Sequence, residues 1–411
     1  MDSTSVTPTW LPTEIWVHIF LLATSAPYTH QLYETQYHPF HNPPGENERY
    51  MLDLADRTML ALSLVCREWH WLSAKFLFEN IRLSWYGSSK LLQRLQGSTT
   101  GDGLGKWVRR LELSVIEHEV ADHPVSAADI LRWCPNVQTL VKWGDDLLPH
   151  TATGANFTAL RRFDWYYARY RDGDHQFATE DDDHSRGQDF LRDVVRNAPH
   201  LRYLSLVKRF RSNPRLTPPP SCFVLPTLTT LRVELLSSDV WAEIASWTFP
   251  QLTALLCDSS FLGLPGSLLR TWDTVQVLEL LKDEGSVPSE SRIPSVLKIC
   301  PSLRELNYYI EFVCPPPMGR AVATSVRLIR LHFATNYDLR WLPEDPGRPW
   351  DHISSHFYML SGPMFPCLER VVLYGPWQWI SEDVGFNSLQ RSLFGRGCVL
   401  EDSNGLIVAM A

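Results

Sequence analysis

A short apolar pattern recurs along most of the chain and constrains the fold more than any other sequence feature. The pattern is an apolar residue, two variable residues, a second apolar residue, one variable residue and a third apolar residue. Its copies are Val108/Leu111/Leu113, Leu160/Phe163/Trp165, Leu201/Leu204/Leu206, Leu228/Leu231/Val233, Leu252/Leu255/Cys257, Val275/Leu278/Leu280, Leu303/Leu306/Tyr308, Leu328/Leu331/Phe333 and Leu368/Val371/Leu373. A degenerate copy starts at Val137. A unit that repeats in this way predicts a stacked array instead of a single closed domain.

The spacing of the copies indicates which kind of array they form. Successive copies start 23 to 29 residues apart, except where the starts at 160 and 201 and at 328 and 368 leave gaps of 41 and 40 residues. The regular spacing is that of leucine-rich repeats. Short helical patterns that end before a proline precede several copies; they occupy residues 130–134, 190–198, 240–247 and 293–300. The sequence therefore predicts an α/β fold, with a curved parallel sheet and outer helices over residues 107–411.

The two long gaps contain segments that differ in composition from the repeats. One gap holds an acidic stretch from Thr179 to Asp189, and the other holds a segment rich in Pro, Gly and His from Pro343 to Pro363. Such compositions are typical of surface loops. We therefore expect insertions in the array near residues 167–189 and 334–364.

The alternation of side chains along a strand predicts which residues line the concave face of the array. Residues that flank the buried apolar pair point to the opposite side of the sheet. A surface of Tyr, Arg and mixed charge suits a protein partner better than a polyanion. We expect a protein substrate to be bound by Arg110, Arg162, Tyr166, Tyr203, Arg232, Glu279, Glu305, Asn307, Tyr309, Arg330, His332, Arg370 and Tyr374. The alternative is that these are ordinary solvated strand residues.

The first 85 residues have a different pattern, which predicts a small helical module. Pro12 and Glu14 favour the start of a helix that runs to about Leu22. Residues 23–56 are rich in Pro, His, Asn and Tyr, which is typical of a long surface insertion. Helical periodicity resumes near Leu60 and continues to Phe76. So few helical residues carry more apolar surface than they can bury by themselves.

The apolar residues of this module resemble those of an F-box. The resemblance lies in Leu11-Pro12-x-Glu14-Ile15, in Ile19-Phe20, and in Leu62-x-Leu64-Val65-Cys66-Arg67-x-Trp69-x-x-Leu72. The segment Phe76 to Leu83 is also similar to the one that leads out of the F-box in many fungal members of the family. The match covers about a fifth of the chain, and the insertion at 23–56 departs from the family pattern.

The resemblance implies a non-enzymatic role as the substrate receptor of a ubiquitin ligase of the Skp/cullin/F-box (SCF) type. The implied partner is the Skp-type adaptor, and through it a cullin-RING ligase. The residues implied to contact the adaptor are Leu11, Pro12, Ile15, Ile19, Phe20, Leu62, Leu64, Val65, Cys66, Trp69 and Leu72. Two alternatives remain open at this point. Either Leu11, Ile15, Ile19, Val65 and Trp69 form only the core of a helical cap, or the chain is a repeat scaffold that binds proteins without recruiting a ligase.

The net charge and the distribution of cysteines limit the classes of partner and the cellular compartments that fit this sequence. A net charge of -8 with dispersed Lys and Arg disfavours nucleic acid as a partner. The eight Cys are scattered and contain no Cys-x-x-Cys, which indicates reduced thiols in a cytoplasmic or nuclear protein. The apolar stretch from Ile15 to Ala26 is too short to span a bilayer and lacks the basic flank of a secretory signal. We therefore expect no membrane association.

No catalytic constellation emerges from the sequence. Gly101 to Gly105 superficially resembles a dinucleotide loop but does not follow a predicted strand, so we interpret residues 86–106 as a connecting helix and a flexible Gly-rich join. His352 and His356 lie one helical turn apart without the Glu of the zinc-protease motif or a clear third ligand. We expect no cofactor and no metal. A hydrolase or metal enzyme that uses these two histidines with an acidic loop residue is the remaining enzymatic hypothesis.

Overall fold

The computed structural model describes most of the chain and provides the geometry used below. The described residues are 11–24, 33–41, 46–83, 88–97, 103–113, 127–143, 155–167, 191–208, 223–234, 241, 244–258, 272–282, 293–316, 322–333, 348–381 and 384–408. The predicted insertion at 167–189, apart from residue 167 itself, lies outside these ranges, as do residues 334–347 of the other insertion.

Helices and strands are interspersed along the described chain. The helices are α1 (Thr13–Thr24), α2 (Glu46–Ser63), α3 (Arg67–Glu79), α4 (Ser88–Gln96), α5 (Ala127–Trp133), α6 (Ile293–Ile299), α7 (Arg348–Ser361), α8 (Gln378–Ser381) and α9 (Val384–Phe394). The strands are β1 (Asn80–Leu83), β2 (Arg110–Leu113), β3 (Thr139–Trp143), β4 (Arg162–Tyr167), β5 (Tyr203–Lys208), β6 (Thr230–Glu234), β7 (Ala254–Cys257), β8 (Val277–Leu280), β9 (Glu305–Tyr309), β10 (Leu328–His332), β11 (Arg370–Tyr374) and β12 (Val399–Asp402). In the part of the chain that the structure describes, no helix has the length and apolarity needed to span a bilayer.

The twelve strands form a parallel sheet whose strand order follows the chain. Neighbouring repeats place equivalent residues side by side; for example, Ile329 pairs with Val371 and with Leu306. Each strand alternates a side chain in the core with a side chain on the opposite face, as the two-residue period of a strand requires. The predicted α/β class with a parallel sheet and outer helices is confirmed at this level.

The chain divides into two compact units. The first comprises residues 1–34, 42–163 and 186–198. Its core contains the apolar residues of its repeats together with the helices that precede them. Side chains that are almost completely buried there are Leu111, Ile130, Leu131, Leu140, Leu160, Phe163 and Val194.

The second unit comprises residues 35–41, 164–185 and 199–411. Each repeat places one apolar side chain in the centre of the core, and these side chains stack on one another from strand to strand. All of them are fully buried: Leu204, Leu231, Leu255, Leu278, Leu306, Ile329 and Val371. Residues 35–41 belong to this unit although they precede the rest of it by more than a hundred residues in the sequence.

The structure corrects the sequence prediction at one repeat and adds two strands. The copy assigned to Leu328/Leu331/Phe333 is Val326/Ile329/Leu331, because Ile329 is the residue that pairs with Val371. A shift of two residues keeps every side chain on its predicted face, so the assignment of faces is unaffected. Strands β1 and β12 were not predicted as members of the array. Strand β12 lacks a complete copy of the pattern, whereas β1 belongs to a copy, Phe78/Ile81/Leu83, that was not assigned.

Three segments interpreted as loops or joins have regular structure instead. Helix α2 begins at Glu46, so the last eleven residues of the predicted insertion 23–56 are helical. Helix α7 occupies the described part of the predicted loop 334–364. The Gly-rich join is closely packed. A Cβ atom at Gly105 would lie 1.9 Å from the carbonyl oxygen of Trp133, and one at Gly103 would lie 2.2 Å from that of Leu95.

Candidate functional site

The N-terminal helices leave several large apolar side chains uncovered. We call Leu11, Ile15, Ile19, Leu22, Leu64 and Val65 the exposed helical residues, after the helical module to which they belong; Leu11 precedes α1, and Leu64 and Val65 lie between α2 and α3. On α1, Ile15, Ile19 and Leu22 share a stripe because they are four and three positions apart. The side chain of Ile15 is 46% exposed and that of Leu64 is 76% exposed. Apolar groups clustered in this way on helices indicate a surface that a partner covers.

The opposite side of α1 forms the core of the helical module. Phe20 is completely buried, and its ring centroid lies 5.1 Å from that of Trp69 on α3. The ring of Trp16 lies 4.7 Å from that of Trp69. Helix α3 begins at Cys66, whose Sγ accepts a hydrogen bond of 3.5 Å from the backbone N–H of Trp69. The fold of this module therefore depends on the three aromatic rings and not on the exposed helical residues.

The residues that the resemblance assigned to adaptor contact are thus divided between surface and core. Pro12 is accessible, and so are five of the six exposed helical residues. The sixth, Leu22, did not belong to the assigned set. Phe20 is buried, and Leu62, Cys66, Trp69 and Leu72 are half-buried. Leu11, Ile15, Ile19 and Val65, which the alternative placed in the core of a helical cap, are exposed, whereas Phe20, which was assigned to adaptor contact, has no exposed side-chain surface.

In the second unit, residues 35–41 lie against one face of the sheet. We call Thr35–His41 the covering segment. We call the residues beneath it the covered face; they are Arg232, Ala254, Leu256, Val277, Glu279, Leu281, Asn307, Tyr309, His332 and Tyr374. The ring of Tyr37 packs beside the apolar patch of Ala254, Leu256, Val277 and Leu281. The face that the sequence predicted as open is therefore occupied by the chain itself over this region.

Glu279 is the polar centre of the covered face. Its carboxylate is only 1% exposed and accepts two hydrogen bonds on the same oxygen from the covering segment. The hydroxyl of Tyr37 donates one at 2.7 Å, and the backbone N–H of Phe40 donates the other at 2.8 Å. The Nδ2 of Asn307 donates to the Tyr37 hydroxyl at 2.5 Å, so the hydroxyl both accepts and donates. A buried carboxylate needs such donors, because burial without them is strongly unfavourable.

Phe40 inserts its ring among three ring side chains from adjacent strands. Its centroid lies 5.2 Å from Tyr309, 4.8 Å from His332 and 5.0 Å from Tyr374. The backbone of Phe40 has a φ of 56°, in the left-handed region. For a residue with a side chain this conformation costs about 1–2 kcal/mol. The ring contacts and the bond to Glu279 together hold Phe40 in this conformation.

Arginine and ion pairs complete the covered face. The Nη1 of Arg232 donates a hydrogen bond of 2.9 Å to the carbonyl oxygen of His41, and its Nη2 donates one of 2.8 Å to Glu234. Arg330 forms an ion pair with Glu305 on the same face. The segment is thus bound by groups that recognise one backbone N–H, one backbone carbonyl and two aromatic side chains.

Burial shifts the ionisation of three groups at this site. It raises the pKa of Glu279, although the hydrogen bonds from Phe40 and Tyr37 act in the opposite direction. It also raises the pKa of the Tyr37 hydroxyl, together with the nearby charge of Glu279. Burial lowers the pKa of His332 to about 4, and the charge of Lys282 contributes to the same shift. His332 is therefore neutral at pH 7.

The residues predicted for the concave face all lie on strands of the sheet, but few of them are open to solvent. In the second unit Tyr166, Tyr203, Arg232, Glu279, Asn307 and Tyr309 are buried, whereas Glu305, Arg330, His332 and Tyr374 are half-buried and Arg370 is exposed. In the first unit Arg110 and Arg162 are buried; Arg162 donates a hydrogen bond of 2.8 Å to the carbonyl oxygen of Glu34. The expectation of an open face is wrong for the buried residues.

His352 and His356 form a pair on α7. The Nε2 atoms are 3.3 Å apart, the Nε2 of His352 lies 2.7 Å from the carbonyl oxygen of Ile310, and the Nδ1 of His356 lies 3.1 Å from the Tyr308 hydroxyl. Burial lowers the pKa of both rings. Among the described residues no cluster of three or more His, Cys, Asp or Glu has metal-binding geometry. The acidic stretch 179–189 of the enzymatic hypothesis lies outside the described residues.

Tyr37 and Phe40 are the site residues that sequence reasoning did not identify. They lie in a segment interpreted as a surface insertion because of its Pro, His and Asn content. A usable signal was present: two aromatic residues three positions apart in an otherwise polar loop are more apolar than a solvated loop requires.

Comparisons with known proteins add little to this geometry. No protein-family model matches the sequence, and no curated protein matches it. A crystal structure of a Bacteroides fragilis protein, solved as a structural-genomics target, is similar to the chain with a TM-score of 0.30 and 10% identity. The alignment covers 88% of this chain and 84% of that one. A similarity of this size supports no argument about fold or function.

Proposed function

We propose that the protein is a substrate receptor of an SCF-type ubiquitin ligase, as the resemblance of its N-terminal residues to an F-box implies. In this proposal the exposed helical residues bind a Skp-type adaptor, and the repeat array binds a protein substrate. Ubiquitin transfer is performed by the other subunits, so the chain contributes proximity and not an active site of its own. The proposal includes a cytoplasmic or nuclear location and no nucleic-acid or membrane partner.

The observation that supports the proposal is a coincidence between motif and exposure. Leu11, Ile15, Ile19, Leu64 and Val65 were assigned to adaptor contact from the sequence alone, and all five are exposed apolar side chains. The fold of the module uses a different set of residues, the rings of Trp16, Phe20 and Trp69. Apolar residues that are not needed for folding and remain uncovered suit a docking surface.

The test is co-purification of the full chain with a Skp-type adaptor, followed by size-exclusion chromatography. We expect a stoichiometric complex with the wild-type chain and none with an Ile15→Glu, Leu64→Glu double variant. The matched control is Thr13→Glu, which places the same new charge on an exposed position of α1 outside the apolar stripe. A folded wild-type chain that elutes separately from the adaptor would overturn the proposal.

A scaffold without ligase recruitment is the second candidate, and one observation favours it. Helix α3 ends at Glu79 and β1 begins at Asn80, and the carbonyl oxygen of Glu79 accepts a hydrogen bond of 2.9 Å from the N–H of Arg109 at the start of β2. The helical module is therefore continuous with the first strands and suits a role as a cap of the array. Adaptor binding by the full chain distinguishes the two candidates, because only the receptor needs it.

A further inference from the structure

The covered face has the composition of an interface and not that of a permanent core. Beneath and beside the covering segment lie five ionisable side chains, those of Arg232, Glu234, Glu279, Glu305 and Arg330. Buried charges of this kind stabilise a fold less well than apolar residues of the same size. A mixture of aromatic residues, Arg and polar groups around a small apolar patch is typical of surfaces that bind proteins.

The contacts made by the covering segment are those that a separate peptide would make. Glu279 accepts a backbone N–H, Arg232 donates to a backbone carbonyl one residue later, and Asn307 holds a phenolic hydroxyl. The backbone groups are common to all sequences, whereas the two side-chain positions select aromatic residues. The site therefore recognises a short motif, a tyrosine followed three positions later by an aromatic residue.

The covering segment is itself a strained occupant of this site. Phe40 is held at a φ of 56°, a conformation that a residue with a side chain adopts only when its contacts impose it. Strain of this kind weakens the resident segment relative to a ligand that is not attached at both ends. The attachment has the opposite effect, since it keeps the segment at a high effective concentration next to the face.

We propose that the covered face is a binding site for a protein segment with the pattern Tyr-x-x-aromatic, and that residues 35–41 occupy it as an internal competitor. The ring of the second aromatic residue enters the space between Tyr309, His332 and Tyr374, and the tyrosine hydroxyl lies between Glu279 and Asn307. The interpretation of this ligand as a ligase substrate rests on the proposed function; the binding itself does not.

The chemistry of the site also predicts what it rejects. The Tyr37 hydroxyl donates a hydrogen bond of 2.7 Å to the buried carboxylate of Glu279. A phosphate on that tyrosine has no proton to donate in its dianionic form and brings two negative charges to the carboxylate. The site therefore takes unmodified tyrosine, and phosphorylation of either the ligand or Tyr37 opposes its occupation.

The test uses the full chain and a fluorescent peptide with the sequence of residues 35–41, TQYHPFH, without any adaptor present. The peptide is titrated into the wild type, into a Tyr37→Ala, Phe40→Ala double variant, and into the same double variant with Glu279→Gln. The peptide controls are a version with Ala in place of its phenylalanine and a version with phosphotyrosine.

We expect the double variant to bind the peptide at least about tenfold more tightly than the wild type, because an occupied site lowers the apparent affinity in proportion to the fraction that is uncovered. In the triple variant, Glu279→Gln should remove most of this gain in peptide affinity. Neither control peptide should bind to any of the three proteins. Thermal unfolding of the double variant, measured with and without the peptide, provides a second readout, since a ligand of the folded state raises the melting temperature.

Two results would overturn the inference. One is a folded double variant that binds the peptide no better than the wild type does. The other is a double variant that does not fold and is not restored by the peptide, because the covering segment would then be an integral part of the unit. Either result leaves the proposed function standing, since adaptor binding is measured separately, with the full chain and with substitutions in the helical module.

Discussion

The backbone N–H of Phe40 donates a hydrogen bond of 2.8 Å to the carboxylate of Glu279, a residue 239 positions later in the chain. The same carboxylate oxygen accepts the hydroxyl of Tyr37. A single buried side chain thus fixes both ends of a four-residue stretch against the sheet. This relationship makes Glu279 the position at which the covering segment can be tested most directly.

Replacement of Glu279 by Gln should destabilise the second unit by about 1–3 kcal/mol. The amide retains one acceptor oxygen but loses the charge that Arg232 and Arg330 favour, and it leaves a buried NH₂ group to be satisfied. Urea denaturation of the full chain measures the change. The matched control is Glu369→Gln, which removes an exposed ion pair with Arg327 and should change the stability by less than about 1 kcal/mol. Equal effects of the two substitutions would contradict the assigned role of Glu279.

Two classes of substitution in the helical module should separate docking from folding. Ile15→Glu places a charge on an exposed apolar stripe, so we expect a loss of adaptor affinity of about 30-fold with unchanged circular dichroism. Trp69→Ala removes a ring that packs against Trp16 and Phe20, so we expect a loss of stability of about 3–5 kcal/mol.

Adaptor binding by isothermal titration and unfolding by urea provide the two readouts for this pair. The assignment of surface and core would be wrong if Ile15→Glu unfolded the protein, or if Trp69→Ala left its stability intact.

The stability of the second unit should fall as the pH decreases from about 6.5 towards 4. Burial holds the pKa of His332 at about 4, below its ordinary value of 6.5. Between these values the unfolded chain binds more protons than the folded chain, so stability rises with pH across this window and is lost as the pH falls. His352 and His356 contribute in the same direction because burial lowers the pKa of each.

His332→Phe should reduce this pH dependence. Its neighbours are the rings of Phe40, Tyr309 and Tyr374 and the ammonium group of Lys282, so an apolar ring fits the position. Urea midpoints measured at pH 7 and pH 5 give the comparison. An unchanged difference between the two midpoints in the variant would mean that His332 does not titrate in this window.

Two glycines with positive φ allow the stability cost of backbone strain to be measured separately from the cost of a steric clash. Gly375 has a φ of 93°, and a Cβ there would lie 2.0 Å from the carbonyl oxygen of Phe333. Gly397 has a φ of 76° with no heavy atom within 4 Å of the added Cβ. We expect Gly397→Ala to cost about 1 kcal/mol and Gly375→Ala at least twice that. Similar midpoints for the two variants in thermal unfolding would contradict the close approach.

The repeat pattern predicted the sheet because its information is local and periodic. Each copy places two apolar residues on one face of a strand, and the core of a parallel stack needs this arrangement in every repeat. The copy at β10 was misplaced by two residues because Leu328, Leu331 and Phe333 satisfy the pattern as well as Val326, Ile329 and Leu331 do. Strand β12 was missed because Val399–Asp402 ends in two acidic residues and lacks the third apolar position.

The covering segment could not be predicted because its contacts are neither local nor periodic. Tyr37 and Phe40 meet partners more than 200 residues away, and their complementarity to Glu279 and Tyr309 leaves no repeated signal in the sequence. The start of α2 was missed for a different reason. Residues 46–49 are Glu46, Asn47, Glu48 and Arg49, and this polar start carries no helical periodicity of apolar residues. A polar first turn looks the same in a helix and in a loop.

The separation in sequence between the covering segment and its binding site has a consequence for synthesis of the chain. Phe40 leaves the ribosome before any of the strands that surround it, and Tyr374 follows it by more than 300 residues. At usual translation rates this interval is on the order of tens of seconds. During that time strands β8 and β9 are made while the space beside Tyr309 is incomplete, so the full set of contacts around Phe40 can form only after the eleventh strand has been translated. Every newly made molecule therefore passes through a stage in which Tyr37 and Phe40 are available to chaperones.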